Sequence, residues 1–287
     1  MNTLAQSASL RNYRLFTLAS ASISAGASLM VLTGWWLHIP AFTSIVPGLV
    51  TMKPNTAFCF LLISVALLLL RTPMDSMSQK ARLWAARVCS SIAILIGTGS
   101  FIERLTGRNL GIDLIFFRRT LLATHVPNPG LMAAAAGLAF ALMGSALLLL
   151  DWETSRKRRP AQGLAFLPVV IGFIYLLGYI YGLDRLFGAA GYAAVALNTA
   201  VIFMLLGMGI LYARPQKGLI SVLTSRQMGG LMARRLMPVF VILPLLVGWL
   251  RMRGQQAGLY QPEFGAALFS GAYILILVVL VLSLIHI

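Results

Sequence analysis

The sequence predicts an all-α fold, a polytopic bundle of transmembrane helices, from three observations. The chain is 59% hydrophobic and only 10% charged, far from the average of a soluble domain. Several uncharged apolar runs approach the roughly 20 residues that a helix needs to cross a hydrocarbon core. In lipid such runs must be helical, because no water is present to satisfy the backbone. The third observation is a recurring design. Aligning Phe60 with Phe140 and Phe203 brings together Asn55, Ala135 and Asn198 five residues earlier, and Thr56, Ala136 and Thr199 four earlier. Four residues later the same alignment pairs Ser64, Gly144 and Gly207. A unit repeated at this scale argues for an array of like elements, here helical hairpins.

Eight spans are expected, at residues 15–37, 54–70, 83–101, 131–150, 164–181, 194–212, 236–250 and 265–287, as four tandem two-helix repeats forming a single domain. The first follows Arg11 and Arg14, in the manner of a signal peptide. Its apolar stretch continues to Leu37, too long for a signal core, so it stays as an anchor. Ser20, Ser24 and Ser28 recur along it as a seam of small residues that lets another helix approach. Trp35 and Trp36 end it with aromatic residues suited to an interface. Pro54 and Asn55 open the second span, with Asn55 as its cap. In the third, Arg87 lies near the inner end and reaches back to the head groups. The segment 103–130 is the longest outer connection, and 110–122 within it is expected to lie along the interface. Gly130, Gly137 and Gly144 share one face of the fourth span and predict close helix packing. Basic residues 156–159 separate the fourth span from the fifth, and Asn198 is expected to cap the sixth. Pro244 predicts a kink in the seventh. The eighth reaches Ile287 with no basic flank after it, so a truncated chain is expected.

The net charge is +16, but its distribution argues against nucleic acid as a partner. Fifteen Lys and Arg fall in or beside the connections assigned to one side and eight on the other. By the positive-inside rule this places the N-terminus in the cytoplasm, with anionic lipid head groups as partners of the basic face.

Enzyme signatures are missing. His38, His125 and His286 do not pair at helical spacing, and Cys59 and Cys89 lack metal-ligand spacing. No metal, haem or other cofactor is therefore expected. No carboxylate falls in the middle of a span, which weakens ion-coupled transport. A second signature recurs between spans: Gly111-Ile112-Asp113 through Phe116 matches Gly182-Leu183-Asp184 through Phe187. His38 holds a comparable place in the first hairpin, and Gly258 through Glu263 and Phe264 is a looser relative in the fourth. Two readings stand. Gly and Asp make the turn and Phe anchors it, or His38, Asp113, Asp184 and Glu263 converge on an outward-facing signal site.

Three stretches carry a family resemblance. They are Gly48 to Ala57 with the core Lys53-Pro54-Asn55-Thr56, Leu197-Asn198-Thr199-Ala200 to Ala213-Arg214-Pro215, and Leu223-Thr224-Ser225 on to Glu263-Phe264-Gly265. Together they resemble the N-terminal multi-pass membrane module of bacterial PAS-containing hybrid histidine kinases and related diguanylate cyclases. The resemblance implies a sensory input module, a homodimer, and a catalytic output encoded elsewhere than in these residues. It carries over no ligand to any residue here. The competing class is a transporter or channel in which like-oriented hairpins surround a pore.

Overall fold

The structure is a computed structural model and describes residues 2–45, 49–71, 78–108, 110–112, 116–117, 130–154, 159–182, 195–216, 218, 220–221 and 228–285. Among the described residues there is no strand. The helices are α1 (Asn2–Leu37), α2 (Pro40–Thr43), α3 (Pro54–Leu70), α4 (Ser78–Thr106), α5 (Ala134–Leu148), α6 (Pro160–Ile180), α7 (Leu197–Tyr212), α8 (Met228–Gln256) and α9 (Pro262–Ile285). The larger part of each apolar run read from the sequence coincides with one of the long helices. Three stretches, Arg11–Leu37, Lys80–Thr106 and Pro160–Ile180, are long and apolar enough to cross a membrane. The chain divides into two compact units, Met1–Ile220 and Ser221–Ile287.

The first unit is a threefold arrangement of helix pairs. Helices α3, α5 and α7 touch one another at the centre, and α1, α4 and α6 lie around them. Each peripheral helix packs against two central ones: α1 against α3 and α7, α4 against α3 and α5, α6 against α5 and α7. The ring is therefore closed. Phe60, Phe140 and Phe203 meet at its centre with ring centroids 4.7, 4.8 and 5.0 Å apart, tilted or edge-on as aromatic quadrupoles prefer. Equivalent positions further along are buried together: Ile63, Met143 and Leu206 in the next turn, then Leu67, Leu147 and Ile210. The positions one turn before the rings, Thr56, Ala136 and Thr199, are buried too. Peripheral helices keep large apolar side chains outside, with Leu95 and Trp84 on α4 70% and 63% exposed. Exposed apolar side chains of this kind suit contact with lipid.

Small residues set the distance within each pair. A Cβ added at Gly97 on α4 would lie 2.6 Å from the Gly137 carbonyl oxygen, and one at Gly144 would lie 2.8 Å from that of Ser90. Helices α6 and α7 repeat the contact, with Gly172 at 2.5 Å from the Ala200 carbonyl oxygen and Gly207 at 3.1 Å from that of Ala165. The repeat thus extends into the peripheral helices. In α1 the expected seam is present, and Ser20, Ser24 and Ser28 are fully buried. The Thr17 hydroxyl donates to the Gly209 carbonyl at 3.1 Å and joins α1 to α7.

In the second unit α8 packs against α9. Helix α8 is continuous from Met228 to Gln256 across Pro244. The Tyr260 hydroxyl donates to the Arg251 carbonyl at 2.8 Å, and its ring fills the space that a side chain at Gly254 or Gly265 would need. Arg251 lies over the Phe269 ring, 5.8 Å from its centroid.

Candidate functional site

Two ends of the first unit carry its polar groups. At the carboxyl-terminal ends of the central helices, arginines satisfy the backbone carbonyls that every helix leaves open. Arg82 donates to the Leu69 carbonyl at 3.1 Å, and Arg159 donates to that of Leu150 at 3.3 Å and to Glu153 at 2.7 Å. Arg214 does most. Its Nε and Nη2 donate to the two Asp151 oxygens at 2.7 and 3.0 Å, Nη2 also donates to the Leu70 carbonyl at 3.1 Å, and Nη1 donates to that of Ala213 at 3.1 Å. One guanidinium thus links the ends of α3, α5 and α7. Its planar fork makes this possible, and an ammonium could not reproduce it. Asp151 is largely exposed, so the ion pair itself contributes little. Hydrogen bonding to the carbonyls dominates. We expect Arg214→Ala to cost about 1–3 kcal/mol and Asp151→Asn less than about 1 kcal/mol. Unfolding by graded denaturant in micelles checks the order, and equal losses would refute it.

At the opposite end the backbone enters each central helix in extended form, through Lys53, Ala133 and Ala196. Met52, Met132 and Val195, one residue earlier in each, are buried. The caps expected at Asn55 and Asn198 are arranged differently. Lys53 holds the cap position of α3, with Pro54 setting the first turn, and Ala196 holds that of α7. Both asparagines stand inside the first turn and reach to other hairpins. Asn55 Nδ2 donates to the Ile112 carbonyl at 2.6 Å, and Asn198 Nδ2 to the Thr43 carbonyl at 3.4 Å. Asn198 Oδ1 still accepts a first-turn bond, from the Thr199 N–H at 3.0 Å. Ala135, the equivalent residue on α5, has no amide to offer.

Further bonds hold this end. Trp35 Nε1 donates to the Met52 carbonyl at 2.9 Å, and the Tyr179 hydroxyl to that of Val195 at 2.9 Å. Trp35 therefore pins a connection, beyond the interface role read from the sequence. Lys53 is half-buried, and burial lowers its pKa below the ordinary lysine value. Glu103 is buried in the last turn of α4. Its Oε1 accepts the Leu110 and Gly111 N–H groups at 2.7 and 3.2 Å. The sequence reading placed Glu103 at the start of a connection and gave it no role. Its scarcity was the available signal, since the chain has only seven acids.

Of the four residues expected to form a signal site, Asp113 and Asp184 lie outside the described residues, as does most of the 110–122 segment. His38 is exposed and follows α1 with φ 57°. The Ile39 N–H donates across it to the Gly34 carbonyl at 2.9 Å, the arrangement that ends a helix with a left-handed residue. Gly107, Gly182 and Gly258 end α4, α6 and α8 with φ of 67°, 65° and 69°. His38 thus stands where the other pairs use glycine, at a cost of roughly 1–2 kcal/mol. Glu263 is exposed in the first turn of α9, where the helix dipole favours an acid. His38 and Glu263 belong to different units.

Among the described residues no group of three or more His, Cys, Asp or Glu could hold a metal ion. Compared with protein-family models, curated proteins and solved structures, the chain matches none.

Proposed function

We propose that this chain is the membrane-embedded sensory input module of a bacterial signal-transduction protein. In this reading it crosses the inner membrane eight times as four like-oriented helix pairs, with the N-terminus in the cytoplasm. It passes a stimulus to a cytoplasmic histidine kinase or cyclase output, as a homodimer held against anionic lipid. The sequence resemblance motivates the reading. The observation that carries it is the closed centre of the first unit. Three phenylalanine rings and the apolar layers after them leave a stimulus the helix ends rather than a path along the axis. That counts against the pore expected of a channel.

The arginine-rich carboxyl-terminal ends of α3, α5 and α7 are the cytoplasmic ends in this topology, and the ends bearing Asn55 and Asn198 face outward. A stimulus there must bind two helix arrangements unequally, or no population shifts. His38, Asp113, Asp184 and Glu263 are the proposed contacts. The test measures kinase or cyclase output of the protein carrying His38→Gly, Asp113→Asn, Asp184→Asn or Glu263→Gln. His38→Gly keeps the left-handed turn while removing the imidazole. An output change of about fivefold or more, with normal insertion, is expected at a contributing residue. Unchanged output for all four would remove the proposed site. Cysteine labelling that puts loop 156–159 and Arg214 on opposite faces of the bilayer would remove the topology.

A further inference from the structure

Arg87 is an exposed charge within Lys80–Thr106, one of the three stretches long and apolar enough to cross a membrane. The packing of α4 against α5 fixes its depth. Gly97 stands against the Gly137 carbonyl and Gly144 against that of Ser90, so the two helices run antiparallel in this register. Three residues before Ser90, Arg87 is therefore level with Leu147, about one turn short of Asp151 beyond the α5 end. The charge is peculiar to this pair. On α6, Ala165 meets Gly207 as Ser90 meets Gly144, and the residue three earlier is Gln162, neutral and buried.

An ionisable side chain inside a spanning stretch is costly and points to a function. Long side chains on a helix lean toward its amino-terminal end, here the end that the proposed topology puts in the cytoplasm. The Arg87 guanidinium accordingly lies over the ring of Trp84, 5.7 Å from its centroid. Trp84 is exposed, and so is Lys80 one turn earlier. In the other direction the same face turns apolar, with Val88, Ile92 and Leu95 exposed. Lys80, Trp84, Val88, Ile92 and Leu95 follow at steps of three or four residues, so they share one stripe of the helix.

Two cations, an aromatic ring between them and an apolar strip beyond match the parts of a single molecule. The cations suit a phosphate, the ring suits the glycerol and ester region, and the strip suits an acyl chain. A guanidinium can hold two phosphate oxygens at once. Free phosphate would leave the strip uncovered, and a zwitterionic head group would add a positive charge beside two already present. We propose that Lys80, Trp84 and Arg87 bind one anionic glycerophospholipid of the cytoplasmic leaflet, its phosphate on Arg87 and an acyl chain along Val88 and Leu95. The proposal rests on the membrane-embedded reading and narrows a general attraction for anionic lipid to one face of α4.

The test is native mass spectrometry of the full chain in detergent micelles, titrated with phosphatidylglycerol or phosphatidylcholine. We expect one phosphatidylglycerol to be retained at concentrations that leave phosphatidylcholine unbound. Its affinity should fall about fivefold in Arg87→Gln, the effect of one basic residue at a membrane surface, and should be unchanged in Arg108→Gln, which removes an exposed charge just past the opposite end of α4. Should Arg87→Gln fail to fold, fluorescence of the unaltered chain in vesicles gives a second readout. Phosphatidylglycerol brominated on its acyl chains should quench more than brominated phosphatidylcholine, and the excess should vanish in Trp84→Phe. Equal retention of the two lipids, equal losses in Arg87→Gln and Arg108→Gln, or displacement of the lipid by inorganic phosphate would each overturn the site. Failure of the chain to float with vesicles on a density gradient would instead remove the membrane reading, and this site with it.

Discussion

Gly137→Leu is expected to separate α4 from α5 and to destabilise the first unit by about 3 kcal/mol, the upper part of the usual range for an overpacked core. The reason is geometric. A Cβ at Gly137 would lie 2.6 Å from the Gly97 carbonyl oxygen and 3.0 Å from the Phe101 nitrogen. Both are backbone atoms of α4, so no rotamer change relieves the clash, and a whole helix must move. In lipid this matters more than in water, because helix association rests on close packing rather than on removal of apolar surface from solvent. Gly26 and Gly163 provide the control. A Cβ at either meets nothing within 4 Å, and Gly26→Leu or Gly163→Leu should change stability by less than about 0.5 kcal/mol. Denaturant unfolding in bicelles measures all three. If Gly137→Leu behaved like the controls, the α4 and α5 contact described above would be wrong.

The second large effect is expected at the aromatic centre. Phe140→Ala removes a fully buried ring that touches both Phe60 and Phe203, and should cost about 3–5 kcal/mol. The lower end is favoured in lipid, where the unfolded reference already keeps the ring out of water. What remains is lost dispersion and the cavity itself. Phe140→Leu should lose far less, since most of the volume stays. Alanine at Phe140 and Phe203 together should be non-additive, because the two rings share one contact. The same variant separates the functional readings. Ile63, Met143 and Leu206 remain buried beyond the rings, so Phe140→Ala liposomes should show no new ion flux. Flux that appeared on opening the ring would favour a gated pore over a sensor.

Parts of this architecture are legible in the sequence because helical periodicity reports which positions must be hidden. The alignment on Phe60, Phe140 and Phe203 identified the three most central side chains. The seams at Ser20, Ser24 and Ser28 and at Gly137 and Gly144 named contact faces correctly, whereas Gly130, read on the same face, lies in a turn before α5. Asn55 and Asn198 were read as caps because local spacing suggests a cap. Their principal partners, Ile112 and Thr43, are 57 and 155 residues away, and spacing carries no signal for them. Glu103 escaped notice for a related reason. Its carboxylate bonds nearby backbone, but its burial depends on the helices that surround it. His38 looked like a chemical group, whereas its backbone shares the left-handed conformation of three glycines.

By itself the sequence determined that the chain is helical and apolar, and that Phe60, Phe140 and Phe203 are equivalent. Hydrophobic content, scarce charge and internal repetition are local properties that survive without coordinates. Only the tertiary structure decided that the equivalent helices close into a ring around one centre. A repeat states that units are alike, and like units can stack in a line as readily as they can circle an axis. Closure depends on whether the free face of the last pair fits the first. Here it does, through α1 against α7 and the bond from Thr17 to Gly209.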